Sequence, residues 1–181
     1  DVYVACEILK AAWRSNHLAT VAFWSELETA VRKAIGLAGV AIQVGQHLKV
    51  RRDGAWLRIR LPSGRALCYV NPRVEDDGQI TYSGVNQYTK RWSRVKTYGG
   101  KLSENVTQAF ARDVLAYRMP SVDEAGYEIV LDVHDELVTE TPDAPEFSPE
   151  SLAELMTREL PWAPGLPLAA AGFEAYRYKK D

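Results

Sequence analysis

From about Val44 to Tyr98 the pattern of this chain changes from helical spacing to short strands broken by turns, and this change decides its fold class. The run Lys49-Val-Arg-Arg-Asp-Gly-Ala-Trp-Leu-Arg-Ile-Arg-Leu61 alternates on both sides of Asp53-Gly54. That dipeptide accepts the left-handed backbone of a tight hairpin turn. Leu61-Pro-Ser-Gly64 and Asp76-Asp77-Gly78 mark two more turns. Strands are expected from Arg65 to Val70, from Ile80 to Tyr82 and from Trp92 to Tyr98, forming a small antiparallel sheet. Arg58 and Arg60 share one face by alternation. They either meet a phosphate backbone or solvate an edge strand, and the second reading is favoured.

Helical spacing flanks this region. Val4, Ile8, Ala11 and Ala12 define a helix from Val2 to about Arg14, closed by Asn16 and His17. Val21, Trp24, Leu27, Val31 and Ile35 form the stripe of a second, from Thr20 to Ile35, with Thr20 as its expected cap. Plain core packing accounts for that stripe. A third helix is expected from Lys101 to Met119, with Ser103 near its start and Pro120 as its stop. Leu102, Val106, Ala109, Phe110 and Tyr117 share its apolar face, where Asp113 also falls. A carboxylate there is expected to be paired and structural. Ser148-Pro149 opens a fourth helix, running to about Leu160. Pro161, Pro164 and Pro167 extend the connection to a last strand, expected from Phe173 to Lys179 beside the hairpin described next. The fold class is α+β, with helices packed on antiparallel sheet and hairpins.

Ile129 to Val133 and Leu137 to Val138 are short apolar runs interrupted by His134, Asp135 and Glu136. This reads as a β-hairpin with acidic groups at its tip. Strict alternation puts Tyr127, Ile129, Leu131 and Val133 on one face, and Glu128, Val130, Asp132 and His134 on the other. Taken alone, a His-Asp-Glu triplet is more often a solvated turn than a site. A metal-dependent phosphodiesterase needs further ligands, and only His17 and His47 remain, neither beside an Asp. On the third helix, Lys101, Asn105, Gln108 and Arg112 fall at i, i+4, i+7 and i+11. Mixed donors in one stripe suit a nucleic-acid backbone or minor groove better than an ordinary solvent face.

The 181 residues suit one domain, organised as a helical piece over 1–40, a small sheet over 41–100 and the hairpin region over 101–181. The net charge of −2 is unevenly spread. Twelve Lys/Arg and four Asp/Glu lie from Lys49 to Lys101, whereas twelve Asp/Glu and one Arg lie from Asp123 to Glu159. A basic surface for phosphates beside an acidic region for cations is one reading; solvated faces are the other. Cys6 and Cys68 are too few for a disulfide framework or a zinc site, which points to a reducing cytoplasm. No run approaches the roughly 20 apolar residues of a membrane span, and no signal peptide is expected.

Val133-His-Asp-Glu-Leu137 closely resembles the third signature motif of the family A DNA polymerases. Tyr98-Gly-Gly-Lys-Leu-Ser-Glu-Asn-Val-Thr-Gln-Ala-Phe-Ala-Arg-Asp-Val-Leu115 is similar to the helix before that motif, in its phage and prophage form. Gly165-Leu-Pro-Leu-Ala-Ala-Ala-Gly-Phe-Glu-Ala-Tyr-Arg-Tyr178 resembles the C-terminus of those enzymes. Leu57-Arg-Ile-Arg-Leu-Pro-Ser-Gly-Arg65 and Trp13-Arg14 with Phe23-Trp24 extend the likeness over nearly the whole chain.

The resemblance implies part of a palm with a piece of the fingers, acting on primer-template DNA and deoxynucleoside triphosphates with Mg²⁺. It makes Asp135 a metal ligand, the adjacent Glu136 a weaker ligand or a support behind the ligands, and His134 a residue that faces the primer end and does not ligate metal. Gln108 takes the position of the glutamine that contacts the primer-template minor groove, flanked by Lys101, Asn105 and Arg112. The family's first motif, of Asp-Tyr-Ser type, and its second, an Arg/Lys/Tyr helix, have no counterpart here. The expectation is therefore a polymerase fragment inactive by itself, or else a non-catalytic nucleic-acid-binding module.

Overall fold

The computed structural model describes residues 1–178. Among the described residues there are four helices, a six-stranded antiparallel sheet and a two-stranded hairpin, an α+β fold. It divides into two compact units, residues 1–108 and 109–181, with the boundary inside the third helix.

In the first unit, α1 (Val2–Asn16) begins at Asp1, whose side chain accepts from the Tyr3 N–H at 3.2 Å. α2 (Leu18–Gly36) starts two residues before the expected Thr20 cap, with His17 at the cap position and no side-chain cap bond. The His17 ring instead turns back: Nδ1 donates to the Trp13 carbonyl at 2.7 Å, and the ring stacks on Trp13 at 4.2 Å. Leu27, Ala30, Val31, Ala34 and Ile35 of α2 are buried. They pack on one face of a meander in which each strand pairs with the next: β1 (Ala41–Val44), β2 (Leu48–Asp53), β3 (Trp56–Arg60), β4 (Ala66–Val74), β5 (Ile80–Val85) and β6 (Trp92–Thr97).

Burial alternates strictly along β3 and the first half of β2, so Val50, Leu57 and Ile59 face the core while Lys49, Arg58 and Arg60 face solvent. The favoured edge-strand reading of Arg58 and Arg60 does not hold, because β3 lies between β2 and β4. Their exposure comes from the open face of the sheet rather than from its rim.

α3 (Gly99–Glu124) runs through Pro120 instead of stopping before it. Proline forfeits one backbone bond at a cost of about 3 kcal/mol. The following turn is nevertheless held by Val122, which is fully buried beside Tyr127 and Leu155. The true stop is Gly126, at φ +90°. Its N–H donates to the Asp123 carbonyl at 2.9 Å, and the Tyr127 N–H reaches the Val122 carbonyl at 3.2 Å. A left-handed glycine cap of this kind brings the residue after it onto the last apolar turn.

The remainder of the second unit comprises β7 (Glu128–Val133), β8 (Glu136–Glu140) and α4 (Pro149–Thr157). Ser148 caps α4 by accepting from the Ser151 N–H at 3.2 Å, with Pro149 in the first turn, as the sequence implies. α4 ends short of Leu160. Buried Arg118 of α3 donates to the carbonyls of Arg158 and Glu159 just beyond it. Trp162 meets Phe110 and Tyr117 edge to face, at 5.6 and 5.9 Å. Tyr117 still remains 44% exposed despite its place on the apolar arc. No strand forms over residues 173–178, and Lys179 lies outside the described residues. Every residue from 171 to 178 is exposed, so this stretch has no buried apolar side to dock beside the hairpin.

Candidate active-site hairpin and nucleic-acid contacts

β7 and β8 are joined by His134 and Asp135 alone, with Val133 opposite Glu136. His134, the first of the two turn residues, has φ +56°. Glycine adopts positive φ freely, whereas an L-residue in the left-handed region bears a cost of roughly 1–2 kcal/mol. His134, Asp135 and Glu136 are all exposed. A two-residue turn between paired strands fixes the backbone that carries both carboxylates.

The strands do not alternate as expected. Ile129 lies opposite Thr139, yet Leu131 lies opposite Val138, so Val130 is an extra residue in a bulge. Directly opposed residues share a face. Leu131 is therefore thrown to the face opposite Ile129, and Asp132, opposite Leu137, joins Ile129 instead. Ile129 and Leu137 pack against the Val122, Tyr127 and Leu155 cluster. Leu131 is left 48% exposed. On its new face Asp132 accepts from Arg112 of α3 at 2.5 Å. This ion pair joins helix to hairpin, and no local pattern in the chain announces it.

The α3 stripe is uneven. Lys101 bonds Glu104 at 2.8 Å, and this bond first, with the Glu104 charge, raises its pKa above the ordinary lysine value. Asn105 is half-buried and donates to the Tyr69 hydroxyl at 3.0 Å. Burial pushes the Tyr69 hydroxyl up despite that bond. Gln108 is exposed and engages no partner among the described residues, so its amide is free to meet a ligand. Asp113 is buried, 8% exposed and partnered.

Hard carboxylate oxygens at positions 135 and 136 match what Mg²⁺ takes in kind. They do not match it in number: no group of three His, Cys, Asp or Glu gathers among the described residues. Most of a six-oxygen shell would have to come from outside this hairpin.

The chain is 40% identical over 180 residues to a DNA polymerase of Bacillus phage SP02. It is a homologue of that phage enzyme. The alignment takes in 97% of this chain and 27% of that polymerase, so the chain spans about a quarter of its relative's length. No protein-family model and no solved structure matches the chain. No helix among the described residues is long and apolar enough to cross a membrane.

Proposed function

We propose that this chain is the C-terminal portion, palm with part of the fingers, of a family A DNA polymerase of phage or prophage type. The observation that carries the reading is the 40% identity to a phage DNA polymerase across 97% of the chain. The exposed Asp135-Glu136 tip, carried between two paired strands, supports it.

Nucleotidyl transfer requires divalent ions that activate the primer hydroxyl and hold the triphosphate. In the proposed enzyme, Asp135 contributes one carboxylate to a site completed by residues of the remaining polymerase chain. Glu136 stands beside it, His134 faces the primer end, and the free amide of Gln108 reads the minor groove. Arg112 is held by Asp132 and acts on DNA only through its remaining donors. The partners are primer-template DNA and deoxynucleoside triphosphates, and the location is the cytoplasm of a bacterial host.

The test is primer extension by two proteins: this chain alone, and a chimaera of the SP02 polymerase in which this chain replaces its matching segment. The chain alone should incorporate nothing, and the chimaera should extend primers. Asp135→Asn should cost the chimaera at least about a hundredfold in kcat, since metal stabilisation of the transition state is worth several kcal/mol. A chimaera that keeps its rate after the Asp135→Asn change would sink the assignment.

A further inference from the structure

α2 packs on one face of the sheet across β1 to β4, and the side chains of the other face are largely exposed along β2, β3 and β6. Cross-strand register identifies what that open face presents. Lys49 lies opposite Arg60, Arg51 opposite Arg58, and Trp56 opposite Val70. The face then passes across β4 to β5 through Val70 with Ser83 and Arg73 with Thr81. It reaches β6 through Ser83 with Arg94, Thr81 with Lys96 and Val85 with Trp92. A bulge between Val70 and Arg73 keeps Arg73 on this side although it is three residues from Val70.

Seven cations, carried by β2, β3, β4 and β6, thus share one surface. Two carboxylates oppose them. Asp53 holds Arg51 at 2.7 Å and Arg58 at 3.3 Å, and Glu75 stands 3.5 Å from Arg94. Lys49, Arg60, Arg73 and Lys96 are exposed and form no ion pair among the described residues. Trp56 and Trp92 lie on the same side, 43% and 65% exposed.

We propose that this open face binds the phosphate backbone of DNA. Strands lie about 4.8 Å apart, so the four gaps from β2 to β6 span roughly 19 Å. A duplex strand advances about 3.4 Å per phosphate along its axis, so that width follows five or six phosphates. The paired strands hold the cations in rows, and the two indoles offer flat faces to any unpaired base. None of these groups belongs to the hairpin or to the α3 stripe. The choice of DNA as the polyanion rests on the polymerase reading; the charge of the face does not.

The experiment is fluorescence anisotropy of this chain with a labelled 20-base-pair duplex, and separately its single strand, across a salt series. Four free cations predict a slope of log K against log salt near −3.6 on duplex, or about a hundredfold weakening between 50 and 200 mM. Lys49→Glu, Arg60→Glu, Arg73→Glu and Lys96→Glu combined should abolish binding. The milder pair Arg60→Gln with Arg73→Gln should make the slope shallower by about 2. Circular dichroism checks that the fold is retained. No binding at 50 mM, an unchanged slope in the Gln pair, or capture of phosphatidylserine vesicles in place of DNA would each overturn the proposal. So would loss of binding through Gln108→Ala while the fourfold charge reversal binds normally. In the chimaera the Gln pair should raise the KM for DNA and leave kcat unchanged, whereas Asp135→Asn lowers kcat. The failure of either reading is therefore seen separately.

Discussion

Gly99 opens α3 against the backbone of α2, and its replacement by alanine gives the sharpest test of the packing in the first unit. A Cβ there would stand 2.2 Å from the Trp24 carbonyl oxygen and 2.8 Å from its carbon. Both are backbone atoms within α2, so no side-chain rotation relieves the contact; the start of α3 must retreat by about 1 Å to restore ordinary packing. Overpacking of this kind costs about 1–3 kcal/mol. The same retreat stretches the bond from the Gly99 N–H to Glu28 Oε2, now 2.7 Å. Bonds to a charged group contribute about 1.5–3 kcal/mol. Alanine recovers at most about 1 kcal/mol in helix propensity. The expected net loss is about 2–4 kcal/mol, read as a lower urea midpoint at unchanged m-value. Gly36→Ala is the control. It closes α2 with nothing within 4 Å of its would-be Cβ, so it should be neutral or stabilising by up to about 1 kcal/mol. If Gly99→Ala unfolds within about 0.5 kcal/mol of the parent, the close approach of α3 to Trp24 is wrong.

Three further perturbations probe single contacts. Burial by itself would raise the Glu28 carboxyl, but bonds from Arg32 and the Gly99 N–H, with the Arg32 charge, hold it below the ordinary value of 4.5. Its stabilisation is therefore full above that pH and lost as pH falls through the lower folded value; Glu28→Gln should flatten this acid limb in urea titrations, and an unchanged limb would refute it. His134→Gly removes the left-handed strain of the turn, offset by about 0.5–1 kcal/mol of glycine chain entropy, so a small rise in melting temperature is expected; a clear fall would mean that the imidazole itself holds the turn. Asp132→Ala breaks a pair whose side chains are 46% and 37% exposed, so less than about 1 kcal/mol should be lost in denaturant titration, and a loss above about 2 would mark the pair as structural.

What the sequence revealed followed local rules. Asp53-Gly54, Leu61 to Gly64 and Asp76 to Gly78 are turn signals that act on their own neighbours, and β2 to β5 formed around them. Ser148-Pro149 announced α4 for the same reason. Three features were hidden because distant residues decide them. Pro120 carries the stronger local stop signal, but the burial of Val122 with Leu155 overrides it and passes the stop to Gly126. The Val130 bulge exists only in the pairing with β8, so alternation alone assigned Leu131 and Asp132 to the wrong faces. Arg58 and Arg60 alternate like residues of an edge strand, and only the neighbours on both sides reveal an interior strand with an open face. At the hairpin, the turn was legible, although Glu136 belongs to β8 and only His134 and Asp135 join the strands, whereas the partner of Arg112 lies twenty residues away.

The six-stranded sheet pairs each strand only with those adjacent in sequence. No segment waits for a distant one, so closing each hairpin costs only the small entropy of a short loop. Folding speed follows the sequence separation of contacts, and this arrangement keeps it low for a sheet of its size. Strands can add one at a time as they leave the ribosome, each new edge covered by the next arrival, which shortens the time any bare edge can capture another chain.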